Sequence, residues 1–222
     1  MIRMSTMKTV FNTVHLRKVV IVFLALATLL LFHTSLVSAL LSLGYLDAAD
    51  SLSSNNPDVA EAQATRYRQL AVELAEAEQE TEQETEQAAE QAVKQEMMTS
   101  WQAQLKSREY WLQAINLRPT WPYYHLGALD IEVLLRDKVA IQQRIKHIIK
   151  LAPNERGLDE GLLTLAFFVW DWVEPTEQAW LLARLADVRY STLKTVFSYA
   201  KQAGHHYDIC AHLAWKKVKG LC

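Results

Sequence analysis

The chain has 222 residues, half of them apolar and 22% charged, enough for one sizeable domain or two small ones. Its net charge of −2 averages unlike blocks: +4 over residues 1–18, −10 over 47–98 and +4 over 99–222. With only six Gly, five Pro and two Cys, the composition argues against a sandwich, a barrel, a Gly-rich nucleotide fold, a disulfide scaffold and a four-Cys zinc module. No dense basic patch suggests nucleic acid as a partner, and the expected class is all-α.

Residues 1–18 form a short basic N-terminal segment. From Val19 to Leu46 twenty-eight residues pass without a charge. About 20 apolar residues cross a hydrocarbon core of roughly 30 Å, and backbone groups in lipid must bond within their own segment. Residues 19–46 are therefore expected to form a transmembrane helix. Arg3, Lys8, Arg17 and Lys18 precede it, whereas Asp47, Asp50, Asp58 and Glu61 follow before the next basic residue, Arg66. That bias places the N-terminus in the cytoplasm and the remainder outside, which in a bacterium means a single-pass inner-membrane protein with a periplasmic domain. The alternative is a cleaved signal peptide, with Val37-Ser38-Ala39 as its small-residue site. The uncharged stretch exceeds the usual apolar region of about 7 to 15 residues and favours a retained anchor.

Residues 47–98 read as an acidic Glu/Gln-rich spacer. Ser51 to Pro57 is turn chemistry. Between Glu73 and Glu90 stand eight Glu and no basic residue, and Glu78 to Gln87 contains no apolar side chain. Ala, Glu and Gln favour helix, but like charges at i,i+4, such as Glu78 and Glu82, weaken it. The spacing expected is a helical or disordered linker that holds the following domain away from the membrane. Its repeat Glu-Thr-Glu-Gln lacks the ligand spacing of an EF-hand.

Residues 99–222 hold all seven Trp and sixteen of the twenty-one aromatic residues, so the folded domain is expected there. Pro119 and Pro153 are thirty-four residues apart, as are Gly127 and Gly161. Thirty-four is the period of the tetratricopeptide repeat. Ser107-x3-Trp111 followed by Pro119, Tyr123-x2-Leu126-Gly127, and Ile141-x3-Ile145 followed by Pro153 fit its pattern. A small residue lets two helices approach, an aromatic fills the hole between them, and Pro stops the helix. The match departs at Asp130, where a Tyr belongs, and at 157–161, which keeps only the Gly. Further helices are expected over 175–190, 191–202 and 206–219, with Gly204 as a break.

The string Leu117-Arg118-Pro119-Thr120-Trp121-Pro122-Tyr123-Tyr124, the corner Trp172-Val173-Glu174-Pro175 with Gln178, and Ile209-Cys210 resemble the bacterial VpsP-type polysaccharide-biosynthesis proteins over about residues 107–215. The resemblance implies a membrane-anchored scaffold or assembly factor in exopolysaccharide synthesis or export, with protein partners from that machinery and no catalytic residues to carry over. A generic periplasmic adaptor for envelope assembly is the alternative. Trp121, Tyr123 and Tyr124 are expected either to line a concave surface that anchors a partner segment or to be hairpin core, and Trp172 has the same two readings.

No cofactor is expected. His205, His206, Asp208, Cys210 and His212 are competent zinc ligands crowded into eight residues, of which His205, Asp208, Cys210 and His212 are weak metal candidates. No second ligand cluster supports them, and a helix start with exposed imidazoles is the plainer reading. Cys210 and Cys222 could close an internal bridge, or Cys222 could pair with another chain. Asp130-x-Glu132 and Asp159-Glu160 are pairs of the kind solvated helix faces carry. No phosphate loop or nucleophile elbow occurs, so the chain is not expected to be an enzyme.

Overall fold

The computed structural model describes the backbone of residues 3–84 and 99–222, and the side chains of residues 19–79 and 99–222. The basic side chains before Val19 and most of the Glu/Gln run lie outside the described residues. Among those described, all regular structure is helical. The chain divides into two compact units, Met1–Ser54 and Asn55–Cys222.

In the first unit, α1 (Arg3–Ser42) contains the stretch Val19–Ser42, 24 residues of mean hydropathy 2.4 and long and apolar enough to cross a membrane. At 1.5 Å per residue it is about 36 Å long. The expected span of 19–46 is too long at its C-terminal end. Gly44 adopts φ +79°, its N–H donates to Leu41 O at 3.1 Å and that of Tyr45 to Leu40 O at 2.9 Å. These are the two bonds of a helix stop that favours Gly at its left-handed position. The chain then folds back as α2 (Leu46–Ser53), burying Ala49 and Val37. His33 Nε2 donates to Leu52 O at 3.1 Å.

The second unit begins far earlier than residue 99. Helix α3 (Pro57–Glu84) pairs with α4 (Ser100–Leu117) along its length. Ala60, Ala64 and Ala71 on one helix and Ala103, Ser107 and Ala114 on the other are fully or almost fully buried. Spacings of four and seven place each set on one face. The Ser107 hydroxyl donates to Ala64 O at 2.7 Å, Tyr67 stacks on Tyr110 at 5.7 Å, Arg68 is ion-paired with Asp130, and Glu78 accepts bonds from Ser100 N and Oγ. Residues 57–78 of the expected spacer are thus part of the packed second unit. Its apolar face is built of Ala, which contributes little hydropathy but permits close helix approach. Thr99 starts α4 with a reciprocal capping box to Gln102.

Then follow α5 (Pro122–Leu134), α6 (Lys138–Leu151), α7 (Asp159–Phe168), α8 (Pro175–Asp187), α9 (Tyr190–Gln202), α10 (His206–His212) and α11 (Trp215–Val218). Pro122 and Pro175 occupy first-turn positions, where their missing N–H is no loss. The helix expected over 206–219 is two, split at Leu213 and Ala214, which are extended. One core joins α3, α4 and α5 through Trp111, Tyr124 and Ile131. The other runs from Leu129 through Ile145, Leu163, Phe167, Leu185 and Val196 to Val218. Cys210 and Cys222 are joined by a disulfide, which resolves the two pairings in favour of the internal bridge. Within the tail that it closes, Lys217 Nζ donates to the carbonyls of Leu185, Ala186 and Val188 at the end of α8.

Candidate binding cleft

The thirty-four-residue register has a packing cause. A Cβ on Gly127 would lie 2.5 Å from Trp111 Cζ2, and one on Gly161 would lie 2.9 Å from Leu126 Cδ2. Each glycine is the floor on which a large side chain rests. Trp111 is 7% exposed. The two seats are not equivalent, however: Gly127 receives a ring from α4, whereas Gly161, on α7, receives Leu126 from α5. Pro153 sits in the turn after α6, where Glu155 N donates to Ala152 O.

The first corner is mostly internal. Tyr124 is 1% exposed, and its hydroxyl donates to Asp58 Oδ1 at 3.3 Å, so it is core and cannot line a docking surface. Tyr123 donates to Glu155 Oε1 at 3.1 Å and covers Gly157. Trp121 alone presents its ring, 47% exposed, tilted against Tyr123 at 5.4 Å. Pro119 is exposed and its carbonyl accepts from His125 Nε2 at 2.9 Å.

Behind this corner lies a buried polar cluster. Arg144 makes a two-pronged pair with Glu132, at 2.6 Å from Nη2 and 3.2 Å from Nε, and Glu132 is fully buried. Arg144 Nη1 also meets His125 Nδ1 at 3.1 Å. A guanidinium only donates and a carbonyl only accepts, so His125 is neutral with its proton on Nε2. Burial is the main cause lowering its pKa, opposed by the Pro119 bond and reinforced by His147 and Arg144. The expectation of solvated carboxylates holds for Glu160, which is exposed, and fails for the other three: Glu132 is internal, Asp130 pairs with Arg68, and Asp159 pairs with Arg184 at 2.6 Å. The sequence does carry the signal, a lone Glu and a lone Arg on the apolar faces of successive helices.

The second corner builds an opening in the unit. Trp170–Trp172 is a single 3-10 turn. Gln142 from α6 donates to Trp172 O at 2.8 Å, and Gln178 from α8 donates to Trp170 O at 2.9 Å. Phe167 stacks on Trp170 at 4.4 Å. The turn is therefore tied from three sides. It forms one wall of a cleft of about 370 Å³, within the size range of small-ligand and peptide sites. The other walls are the C-terminal ends of α5, α7 and α9, supplying Arg136, Phe168 and His205. Phe168 is 58% exposed, Trp172 half-buried, and the Asp171 carboxylate faces His205 Nε2 at 3.7 Å.

Three helix C-termini carry partial negative charge toward this cleft, and Arg136 supplies a local cation. Arg136 has φ +54°, with its N–H donating to Val133 O and that of Asp137 to Glu132 O. It thus occupies the place that Gly44 fills at the end of α1, a position costly for a residue with a Cβ. The arrangement offers aromatic surface, one acid and one base on a rigid floor, suited to an extended segment that presents an apolar side chain and hydrogen-bonding groups.

The zinc candidates are dispersed. Cys210 is consumed by its disulfide, His212 is exposed, and His205 stands 3.7 Å from both Asp171 and Asp208. Among the described residues no three His, Cys, Asp or Glu side chains converge on one point. Compared with protein-family models, curated proteins and solved structures, the chain matches none.

Proposed function

We propose that the chain is a membrane-anchored scaffold whose tetratricopeptide-like hairpins recruit a protein partner to bacterial exopolysaccharide synthesis or export. The N-terminus lies in the cytoplasm and the second unit in the periplasm. The observation that carries the recruiting role is the cleft beside Trp170–Trp172: it is open and aromatic, and its floor is fixed by Gln142 and Gln178. Rigid sites lose little freedom on binding. The anchor is supported by the apolar stretch Val19–Ser42, the orientation by the charge asymmetry around it, and the oxidising compartment by the Cys210–Cys222 bond. The polysaccharide rests on the resemblance of the two corners. The role is binding rather than catalysis.

The test is a deletion strain complemented either by the full chain or by a Phe168→Ala/Asp171→Ala variant. Both residues are exposed, so the variant should accumulate in membranes at the normal level. Secreted and surface polymer should fall on deletion and return only with the unaltered chain. Unchanged polymer on deletion refutes the polysaccharide assignment and leaves an envelope adaptor; full rescue by the variant refutes the cleft as the docking surface.

A further inference from the structure

The apolar stretch is longer than a hydrocarbon core, and the first unit shows where the surplus goes. From Val19 to Phe32 the large apolar side chains are 47–71% exposed on the unit. At His33 this changes. Helix α2 returns beside α1, Val37 and Ala49 are buried between them, and His33 Nε2 holds Leu52 O, one of the last carbonyls of α2.

If the whole of Val19–Ser42 lay in hydrocarbon, the end of α2 would sit level with His33, nine residues or about 13 Å below Ser42. The polar end of α2, from Asp50 to Ser54, and the Asn55-Asn56 pair that follows it would then meet lipid. A carboxylate is unfavourable by about 3 kcal/mol at mid-bilayer and by less toward the interface, and chain that must leave the hydrocarbon from that depth without regular structure takes its polar backbone groups into lipid as well. In return lipid would cover little: Val37 is already buried, Leu40 and Leu41 are half-buried, and Ser38 and Ser42 are polar. Leu43, 70% exposed, and Leu52, 44% exposed, are the principal gains, each worth no more than about 3 kcal/mol. The polar side of the comparison wins. A boundary between His33 and Leu36 leaves fifteen to eighteen residues from Val19, about 22–27 Å, short of the roughly 30 Å core by an amount that local thinning of the bilayer accommodates at modest cost.

We propose that the hydrocarbon boundary falls between His33 and Leu36, and that the α1–α2 hairpin beyond it stands in the lipid headgroup layer, with the last turn of α2 and its His33 cap seated on the headgroups. The hairpin is a lipid-surface contact and not part of the span. Tyr45, 62% exposed at the turn, suits that layer, where aromatic residues with a polar tip concentrate. This rests on α1 crossing the membrane.

The test uses the full chain in open membrane fragments, where both faces meet an impermeant maleimide, with single substitutions Leu26→Cys, Ser38→Cys and Ser51→Cys. Cys210 and Cys222 stay in their disulfide and do not react. Ser38→Cys and Ser51→Cys should label at comparable rates, while Leu26→Cys stays at background until detergent is added. Protection of both Ser38→Cys and Ser51→Cys, with Leu26→Cys also protected, overturns the proposal and places the hairpin within the bilayer. Labelling of Leu26→Cys in intact membranes shows instead that α1 does not span, and so overturns the anchor itself.

Discussion

Removing Glu132 should be the most damaging single change in the second unit. Glu132→Ala leaves Arg144, whose side chain is 16% exposed, charged among Ile141, Ile145 and Ile148 with no carboxylate. Breaking one partner of such a buried pair costs about 3–5 kcal/mol, a large share of the roughly 5–15 kcal/mol that holds a domain together. For a unit of this size that is a melting shift of roughly 6–20 °C. Replacing both partners, as Glu132→Met/Arg144→Leu, removes the stranded charge and should restore most of the loss, because apolar pairs of similar volume are often neutral or stabilising. All seven Trp lie in this unit, so urea unfolding followed by Trp fluorescence on the detergent-solubilised full chain reports it without interference from α1. A loss below about 1 kcal/mol for Glu132→Ala, or a double variant as unstable as the two single ones added together, would refute the assignment of this cluster as a desolvated, mutually dependent pair.

The same measurement checks further expectations. Gly127→Ala should destabilise by up to about 2 kcal/mol although Ala is the better helix former by about 1 kcal/mol, because the added carbon meets the Trp111 ring. Gly161→Ala should cost less, since only the flexible end of Leu126 must move. Arg136→Gly should raise stability by about 1 kcal/mol by relieving its left-handed backbone, while weakening whatever the cleft binds. His125 is neutral in the fold with a lowered pKa; unfolding lets it take up a proton. Its contribution is therefore complete above about pH 6.5 and falls away as pH drops below that toward the folded value. The urea midpoint should decline over this window, and a His125→Gln variant should flatten the decline. Reduction of the disulfide, which spans 12 residues, should cost about 3 kcal/mol and first free the tail that carries Lys217, as hydrogen exchange would register.

Features written in single residues were legible. Pro175 marks a helix start and Gly204 a helix end, where it adopts the left-handed conformation, and the uncharged run foretells α1, although the stop at Gly44 was missed. Gly127 and Gly161, found through their spacing alone, do underlie large side chains. What escaped was written in pairs of segments. The face of α3 is Ala60, Ala64 and Ala71 amid Glu and Gln, and its burial follows only from the matching small residues of α4. The cleft is assembled from the ends of α5, α7 and α9, which share no local motif. Tyr124 looked like Trp121 because both are aromatic and belong to the same short corner around Pro122, yet one turns inward to Asp58 and the other out.

The hydrogen bonds from Ser100 to Glu78 alter what the Glu-Thr-Glu-Gln run can do. They bring together the two ends of the intervening segment, so the run is attached in parallel with the hairpin rather than in series between anchor and domain. It cannot act as a tether whose length sets reach. The contacts of α3 with α4, from Ala60 and Ser107 to Glu78 and Ser100, hold the two helices together without help from the residues between them.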